Sequence, residues 1–298
     1  FSEVKMQIGI VFPQTEIGSD PGGIKAFGQA AESLGYTFIA TYDHVIGANL
    51  ANRPDWQGPY SITSDFHDPF VLFGFLSGAT EKLGFATSIV ILPQRQTVLV
   101  AKQAAALDIL CRGRFRLGVG VGWNEIEYEA LNEDFALRGR RYEEQIEVMR
   151  LLWTNQVVNY TGKWHSIPDA GISPMPVQQP IPVWLGGGAN DRVLRRIAKM
   201  ADGWMPQWQP NDDGHKQLER MRGFADDAGR DHSERGPEGR FPVWMQNAES
   251  WATKTAEWSD IGATHMSVVT MGDGLQGADA HIRRLEEYRA AVPANGQS

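Results

Sequence analysis

The chain has little cysteine and little positive charge. Cys111 is the single cysteine among 298 residues, which excludes an internal disulfide and fits a reducing cytoplasm. It follows an apolar helical pattern, so we predict a buried, unreactive thiol. The 28 lysines and arginines are outnumbered by 36 aspartates and glutamates, which gives a net charge of −8. This balance disfavours nucleic acid and anionic membranes as partners.

Long apolar runs are also missing. No stretch approaches the roughly 18 apolar residues of a membrane span, and no signal peptide is recognisable, so we expect a soluble cytoplasmic protein. The seven histidines show neither His-x-His nor His-Glu-x-x-His spacing. This disfavours a metal-dependent hydrolase, and we predict no metal site.

Strand and helix patterns alternate eight times along the chain. The first strand is predicted at residues 4–12, the third at 83–91, the seventh at 241–246, and the last strand and helix at 264–269 and 279–290. Eight such units close a parallel barrel, so we predict an α/β fold, a (β/α)8 TIM barrel, as one domain over residues 1–298. A doubly wound open sheet is the alternative, although such sheets usually have fewer units. Prolines in 154–180 predict an insertion with a small hairpin after the fourth helix.

A glycine-rich turn ends the fourth predicted strand, within residues 112–129. Glycines let a ligand approach the backbone closely and leave main-chain N–H groups free, and a helix opens directly afterwards. The motif indicates either a site for a flat, phosphorylated ligand or a tight turn without one. The residues that would contact the ligand are Gly120, Val121, Gly122 and Asn124.

A second glycine turn follows the fifth predicted strand. It leads into a helix at 191–200 that carries three arginines, so backbone N–H groups, the helix dipole and positive charge come together. We predict a phosphate cradle here, with a glycine loop beside surface arginines as the alternative; barrels more often hold phosphate after strands seven and eight. The residues of the cradle are Gly186, Gly187, Gly188 and Ala189.

His44 is the best candidate for proton chemistry. It is the histidine that the pattern places at a strand end, where ligands bind in this fold, and Asp43 directly precedes it. Neighbouring residues on a strand point to opposite sides, so Asp43 need not orient His44. A purely structural histidine is the alternative.

Aromatic residues lie near several predicted strand ends. Tryptophan is frequent, with ten copies, and aromatic rings can wall a flat apolar pocket, although core packing explains most of them. The predicted pocket residues are Phe12, Trp56, Tyr60, Trp123 and Trp208.

The helix predicted at 98–110 is apolar nearly all round. An outer helix of a barrel should have one polar face, so this helix is expected to bury a second face against another copy of the chain. We therefore predict a homodimer.

Several longer segments together resemble the luciferase-like flavin and deazaflavin oxidoreductases, and more narrowly the subfamily that uses coenzyme F-420. The matching segments cover most of residues 5–206, with a looser fit beyond. They include AAESLGYTFIATYDHV, ATSIVILPQRQTVLVAKQAAALDILCRGRFRLGVGVGWNEIEYEAL and PIPVWLGGGANDRVLRRIAKMADGW.

The resemblance implies a cofactor across the strand ends. It places the phosphate on Gly186–Gly188 and the ring over strand three, where a non-proline cis peptide would join Ser88 and Ile89. The family's Asp-His pair matches Asp43 and His44, and the glycine loop matches residues 118–124.

The resemblance also suggests the reaction. It implies hydride transfer between coenzyme F-420 and a small organic substrate, with a reductase for F-420 or flavin supplying the reduced cofactor. Sugar-phosphate dehydrogenases of this group carry a loop glutamate whose nearest position here is Val121, so an apolar unsaturated or carbonyl-bearing substrate is expected. The alternatives are an FMN-dependent two-component monooxygenase and a non-catalytic flavin-binding protein.

Overall fold

The structure is a computed structural model that describes residues 6–231 and 236–294. In chain order its strands are β1 Gln7–Val11, β2 Phe38–Thr41, β3 Gly84–Thr87, β4 Val90–Ile91, β5 Phe115–Gly120, β6 Val158–Thr161, β7 Ser166–Ala170, β8 Val183–Gly187, β9 Gly203–Pro206, β10 Glu238–Pro242 and β11 His265–Val269. Its α-helices are α1 Pro21–Ser33, α2 Pro69–Ser77, α3 Thr97–Leu110, α4 Glu125–Ala130, α5 Arg138–Thr154, α6 Asp191–Met200, α7 Asp212–Asp227, α8 Trp251–Asp260 and α9 Gly277–Ala291. Residues 4 and 5 of the first predicted strand lie outside the described ranges.

The described chain divides into two compact units that alternate along the sequence. Unit 1 comprises residues 6–41, 82–86, 184–231 and 236–294, and unit 2 comprises 42–81 and 87–183. The single domain over residues 1–298 stays a prediction. No helix of the described residues combines the length and the apolar character needed to cross a membrane.

Unit 1 contains most of the parallel sheet. β10, β11, β1 and β2 pair in this order with parallel register, and β8 pairs with β9. An isolated parallel bridge between Trp204 and Pro237 links β9 to the start of β10. Gly9 is needed where β1 passes under a ring, because a Cβ there would come within 2.6 Å of Phe38.

Unit 2 contains the pair β4–β5 and helices α2 to α5. β4 and β5 run parallel, with Val90 opposite Val119. Gln145 on α5 fixes the segment that follows β4, since its Nε2 donates to Leu92 O, Arg95 O and Thr97 Oγ1. Cys111 is buried, and burial raises the pKa of its thiol, as an unreactive thiol requires.

The insertion forms the predicted hairpin. β6 and β7 pair antiparallel within residues 154–180. Glu144 on α5 holds the hairpin turn, because its carboxylate accepts the backbone N–H groups of Lys163, Trp164 and His165. Burial raises the pKa of Glu144, but these donors and the His165 ring lower it on balance.

Two predicted strands differ from the structure. The seventh predicted strand, residues 241–246, is wrong in position: β10 ends at Pro242, and Val243–Met245 form a 3-10 turn. β10 begins at the buried Glu238, whose Oε1 accepts a hydrogen bond from Ser267 Oγ. Because this first residue is polar, a search for apolar residues does not find the start of the strand. The third predicted strand, residues 83–91, is divided into β3 and β4, and the bond between Ser88 and Ile89, which lie between them, is cis.

Candidate functional site

His44 lies three residues after β2, half-buried in unit 2. Its Nδ1 is 3.2 Å from Glu127 Oε1, and its ring lies against Tyr60 with centroids 3.7 Å apart. Phe66 meets the ring edge-on at 4.8 Å. These contacts fix the imidazole plane and use Nδ1, the ring nitrogen that faces Glu127.

Glu127 is fully buried on α4. Its Oε1 also accepts the backbone N–H of Val45 at 3.0 Å, and its Oε2 accepts Nε2 of Gln94 at 3.2 Å. Burial alone raises the pKa of a carboxyl, but the hydrogen bonds from His44, Gln94 and Val45 and the charge of the histidine lower it on balance. Glu127 is therefore an anion that meets Nδ1 of His44 as an acceptor.

Asp43 turns to a different set of partners from those of His44. Arg95 donates from Nη2 to Oδ1 at 2.7 Å and from Nε to Oδ2 at 3.2 Å, and the N–H of Ile91 donates to Oδ2 at 3.1 Å. Arg95 also contacts Asp68, the N-cap of α2. Burial lowers the pKa of Arg95, but the carboxylates of Asp43 and Asp68 raise it by more, so the pKa lies above its usual value and the guanidinium stays charged. Asp43 thus anchors the segment just beyond the cis peptide of Ser88 and Ile89.

The turn after β5 is shaped by its glycines and closed by side chains. Gly122 has φ +63°, and a Cβ there would come within 2.6 Å of Ile91 Cγ2. Asn124 is buried as the N-cap of α4, accepting from the N–H of Ile126 and donating to Tyr60 Oη. The carbonyl of Val121 accepts from Tyr128. Ile91 therefore fills the space beside Gly122, Gly120 is buried, and the Asn124 side chain is already engaged.

Aromatic rings surround the exposed side of this turn. Trp123 is 45% exposed, and its ring lies 5.6 Å from both Trp56 and Tyr60. Trp56 donates from Nε1 to the carbonyl of Tyr60, which fixes the loop. Burial raises the pKa of Tyr60, so its phenol stays protonated. Together with Phe66 these rings make an aromatic wall beside His44, defined here as Trp56, Tyr60, Phe66 and Trp123.

The second glycine turn belongs to unit 1 and precedes α6. Asn190 caps this helix by accepting from the N–H of Val193. Gly188 has open space around it, since the nearest atom to a Cβ would be Gln207 Oε1 at 3.9 Å. Arg220 on α7 donates to the carbonyl of Ala189 and pairs with Asp191. Gly186 and Gly187 form the end of β8.

Two of the predicted pocket residues, Phe12 and Trp208, belong to unit 1, whereas the residues of the aromatic wall belong to unit 2. Phe12 is fully buried and packs edge-on against Phe27 at 5.7 Å. Trp208 stacks on Trp258 at 5.7 Å and meets Trp204 edge-on. Their roles in a pocket stay predictions.

Sequence reasoning missed four residues that the structure brings into these two sites. Glu127 was hidden among three glutamates of one short helix, of which Glu125 and Glu129 are exposed. The other three residues are placed in the sites by contacts with residues far away in the sequence, so no local sequence pattern indicates them. They are Gln94, Arg95 and Arg220.

Comparison with known proteins gives a family and a fold. The family described as luciferase-like monooxygenase matches residues 6–294. An uncharacterized protein of Mycobacterium tuberculosis is 35% identical over 278 residues, which cover 89% of this chain and 93% of that protein.

Solved structures resemble the chain over nearly its whole length. Monooxygenase RslO1 from Streptomyces bottropensis is 17% identical with a TM-score of 0.74, covering 96% of this chain and 98% of that one. An F420-dependent secondary alcohol dehydrogenase in complex with an F420-acetone adduct is 18% identical with a TM-score of 0.74, covering 96% and 99%. This likeness, together with the parallel strand pairing, confirms the predicted mostly parallel, eight-stranded (β/α)8 fold.

Proposed function

Because this chain belongs to the luciferase-like monooxygenase family, we propose that it is an oxidoreductase that transfers a hydride between coenzyme F-420 and a small organic substrate. The observation that carries the proposal is His44, held through Nδ1 by the buried anion Glu127 with Nε2 left for proton exchange. Reduction of a carbonyl needs a proton as well as a hydride, and a histidine is suited to exchange it near neutral pH.

The chemistry divides between cofactor and protein. When bound, the deazaflavin supplies or accepts the hydride at its 5-carbon. His44 Nε2 gives the accompanying proton to the substrate, or takes it in the reverse direction. The aromatic wall packs against apolar substrate surface and excludes water, which favours an unsaturated or carbonyl-bearing apolar molecule.

The residues present fit the phosphate and the ring of such a cofactor. The backbone N–H groups at the amino end of the ten-residue helix α6 and the guanidinium of Arg220 are donors that suit a phosphate, and the space beside Gly188 is open. In unit 2, the turn with Gly120 and Gly122 is the proposed neighbour of the ring, and the cis peptide of Ser88 and Ile89 matches the bond that the resemblance implies. We propose these residues, with Asp43 as an anchor, as the cofactor-binding set.

The second candidate function is an FMN-dependent monooxygenase. The likeness to monooxygenase RslO1, equal in TM-score to that of the F420-dependent dehydrogenase, favours it. Both functions need a phosphate site, but they differ in the cofactor that binds. A non-catalytic flavin-binding protein would bind a cofactor without turnover.

Cofactor titration separates the candidates. Bound F-420 or FMN quenches tryptophan fluorescence, and Trp56 and Trp123 lie beside the proposed ring site. We expect saturable quenching by F-420 with at least tenfold tighter binding than FMN. Tight binding of FMN without a response to F-420 would overturn the cofactor assignment, and an Arg220→Ala variant should weaken F-420 binding if the phosphate lies at α6.

We also propose that the protein is a cytoplasmic homodimer that receives reduced cofactor from a separate reductase. α2 packs on α3, and both helices present apolar side chains to solvent, with Val71 72% and Leu99 52% exposed. Such a face is suited to a second copy. Sedimentation velocity should show a dimer that Leu99→Glu converts to a monomer, whereas Lys25→Glu at an exposed position of α1 leaves it intact; a monomeric wild type contradicts this proposal.

A further inference from the structure

Glu127 occupies an unusual position for a carboxylate. Its side chain is completely buried, and an isolated buried charge is costly, so its partners must compensate. Those partners are three donors: Nδ1 of His44, the N–H of Val45 and Nε2 of Gln94. Two of these donors come from His44, the proposed proton-exchanging residue, and from Val45, which directly follows it.

Gln94 donates to Glu127 although its own side-chain oxygen stays without a partner among the described residues. It is 4% exposed, and its Nε2 donates to Glu127, while its Oε1 is buried without a hydrogen-bond partner among the described residues. The amide cannot be turned over to satisfy Oε1 elsewhere without placing two acceptors, Oε1 and the carboxylate, against each other. The amide is therefore oriented by the carboxylate, and it fixes the second carboxylate oxygen in return.

We propose that Glu127 is the positioning residue of the site: its carboxylate accepts the Nδ1 proton of His44, so that Nε2 is the nitrogen that takes a proton when the ring is neutral and gives one when the ring is an imidazolium. The hydrogen bond made by one ring nitrogen sets which tautomer is present. The carboxylate also stabilises the imidazolium that forms whenever Nε2 takes a proton. This inference rests on the proposed function for its effect on turnover, but its statement about the tautomer concerns the protein alone.

The shape of Glu127 is kept by glutamine, which makes Glu127→Gln the informative change. The amide can donate as well as accept, so His44 loses its single tautomer, and the negative charge is removed. We expect kcat to fall by about 10²-fold, with KM and the dissociation constant of F-420 changed less than twofold. Gln94→Leu should lower kcat by a smaller factor, because the carboxylate remains but is less well fixed.

A matched control lies on the same helix. Glu129 on α4 is exposed, so Glu129→Gln makes the same chemical change without touching His44. It should leave kcat and the histidine spectrum as in the wild type. Near-ultraviolet circular dichroism checks that each variant is folded.

The ring-nitrogen shifts of His44 test the inference in the whole protein without cofactor or substrate. Two-dimensional ¹⁵N spectra, assigned by loss of the signal in His44→Gln, should show the neutral ring protonated at Nδ1 in the wild type and a tautomer mixture in Glu127→Gln. A wild-type proton on Nε2, or an unchanged tautomer in a folded Glu127→Gln, overturns the inference. Failure of F-420 to bind would instead remove the proposed function and leave the tautomer result to decide the positioning role.

Discussion

Replacement of Asp43 by asparagine is expected to lower the free energy of unfolding by about 3 kcal/mol, because it breaks a buried ion pair from one side. Asparagine has the same shape, but its NH2 group would face the donors of Arg95. One of the two hydrogen bonds from Arg95 would then become a contact between two donors. The guanidinium keeps Asp68, so the loss lies at the lower end of the range for buried pairs.

The effect should be visible as a shift in thermal stability. A loss of about 3 kcal/mol corresponds to a drop in Tm of roughly 5–10 °C for a chain of this size. Asp65→Asn is the control, because Asp65 is an exposed aspartate in the loop between Asp43 and Asp68 and should change stability by no more than about 0.5 kcal/mol. Equal Tm values for the two variants would show that Asp43 is not an anchor.

The fold was predictable because it depends on patterns that repeat. Helices α2 and α6 begin where Asp68 and Asn190 stand as N-caps, and apolar strands alternate with helices along the chain. The missed position of β10 has a long-range cause. Residues 241–245 read as an apolar strand, but the observed strand begins at a buried Glu238 that pairs with Ser267, a contact that sequence spacing does not show.

The site was predictable only in part. Asp43 and His44 both follow the end of β2, and their separate partners agree with the expectation that Asp43 need not orient His44. The cis bond at Ser88 followed from the resemblance to a family and not from the residue types. Glu127 could not be found because its burial depends on a contact 83 positions away in the sequence, and a six-residue helix is too short to show which of its faces is buried.

His44 is proposed to exchange the proton that accompanies hydride transfer, so its replacement should have the largest effect on turnover. Glutamine retains a polar side chain but cannot carry a proton between donor and acceptor, and general acid–base catalysis is worth roughly 10²–10⁴-fold. We therefore expect about 10³-fold slower turnover in His44→Gln, with cofactor binding retained. His215→Gln on α7 is the control, since His215 is exposed.

The most direct measurement is single-turnover oxidation of reduced F-420, followed at its visible absorbance without oxygen, with apolar ketones and enones as acceptors. We expect rapid oxidation by the wild type and by His215→Gln, with one product molecule for each molecule of F-420 that is reoxidised, and about 10³-fold slower oxidation by His44→Gln. Equal rates for the wild type and a His44→Gln variant that binds F-420 normally would contradict the proposed role of His44.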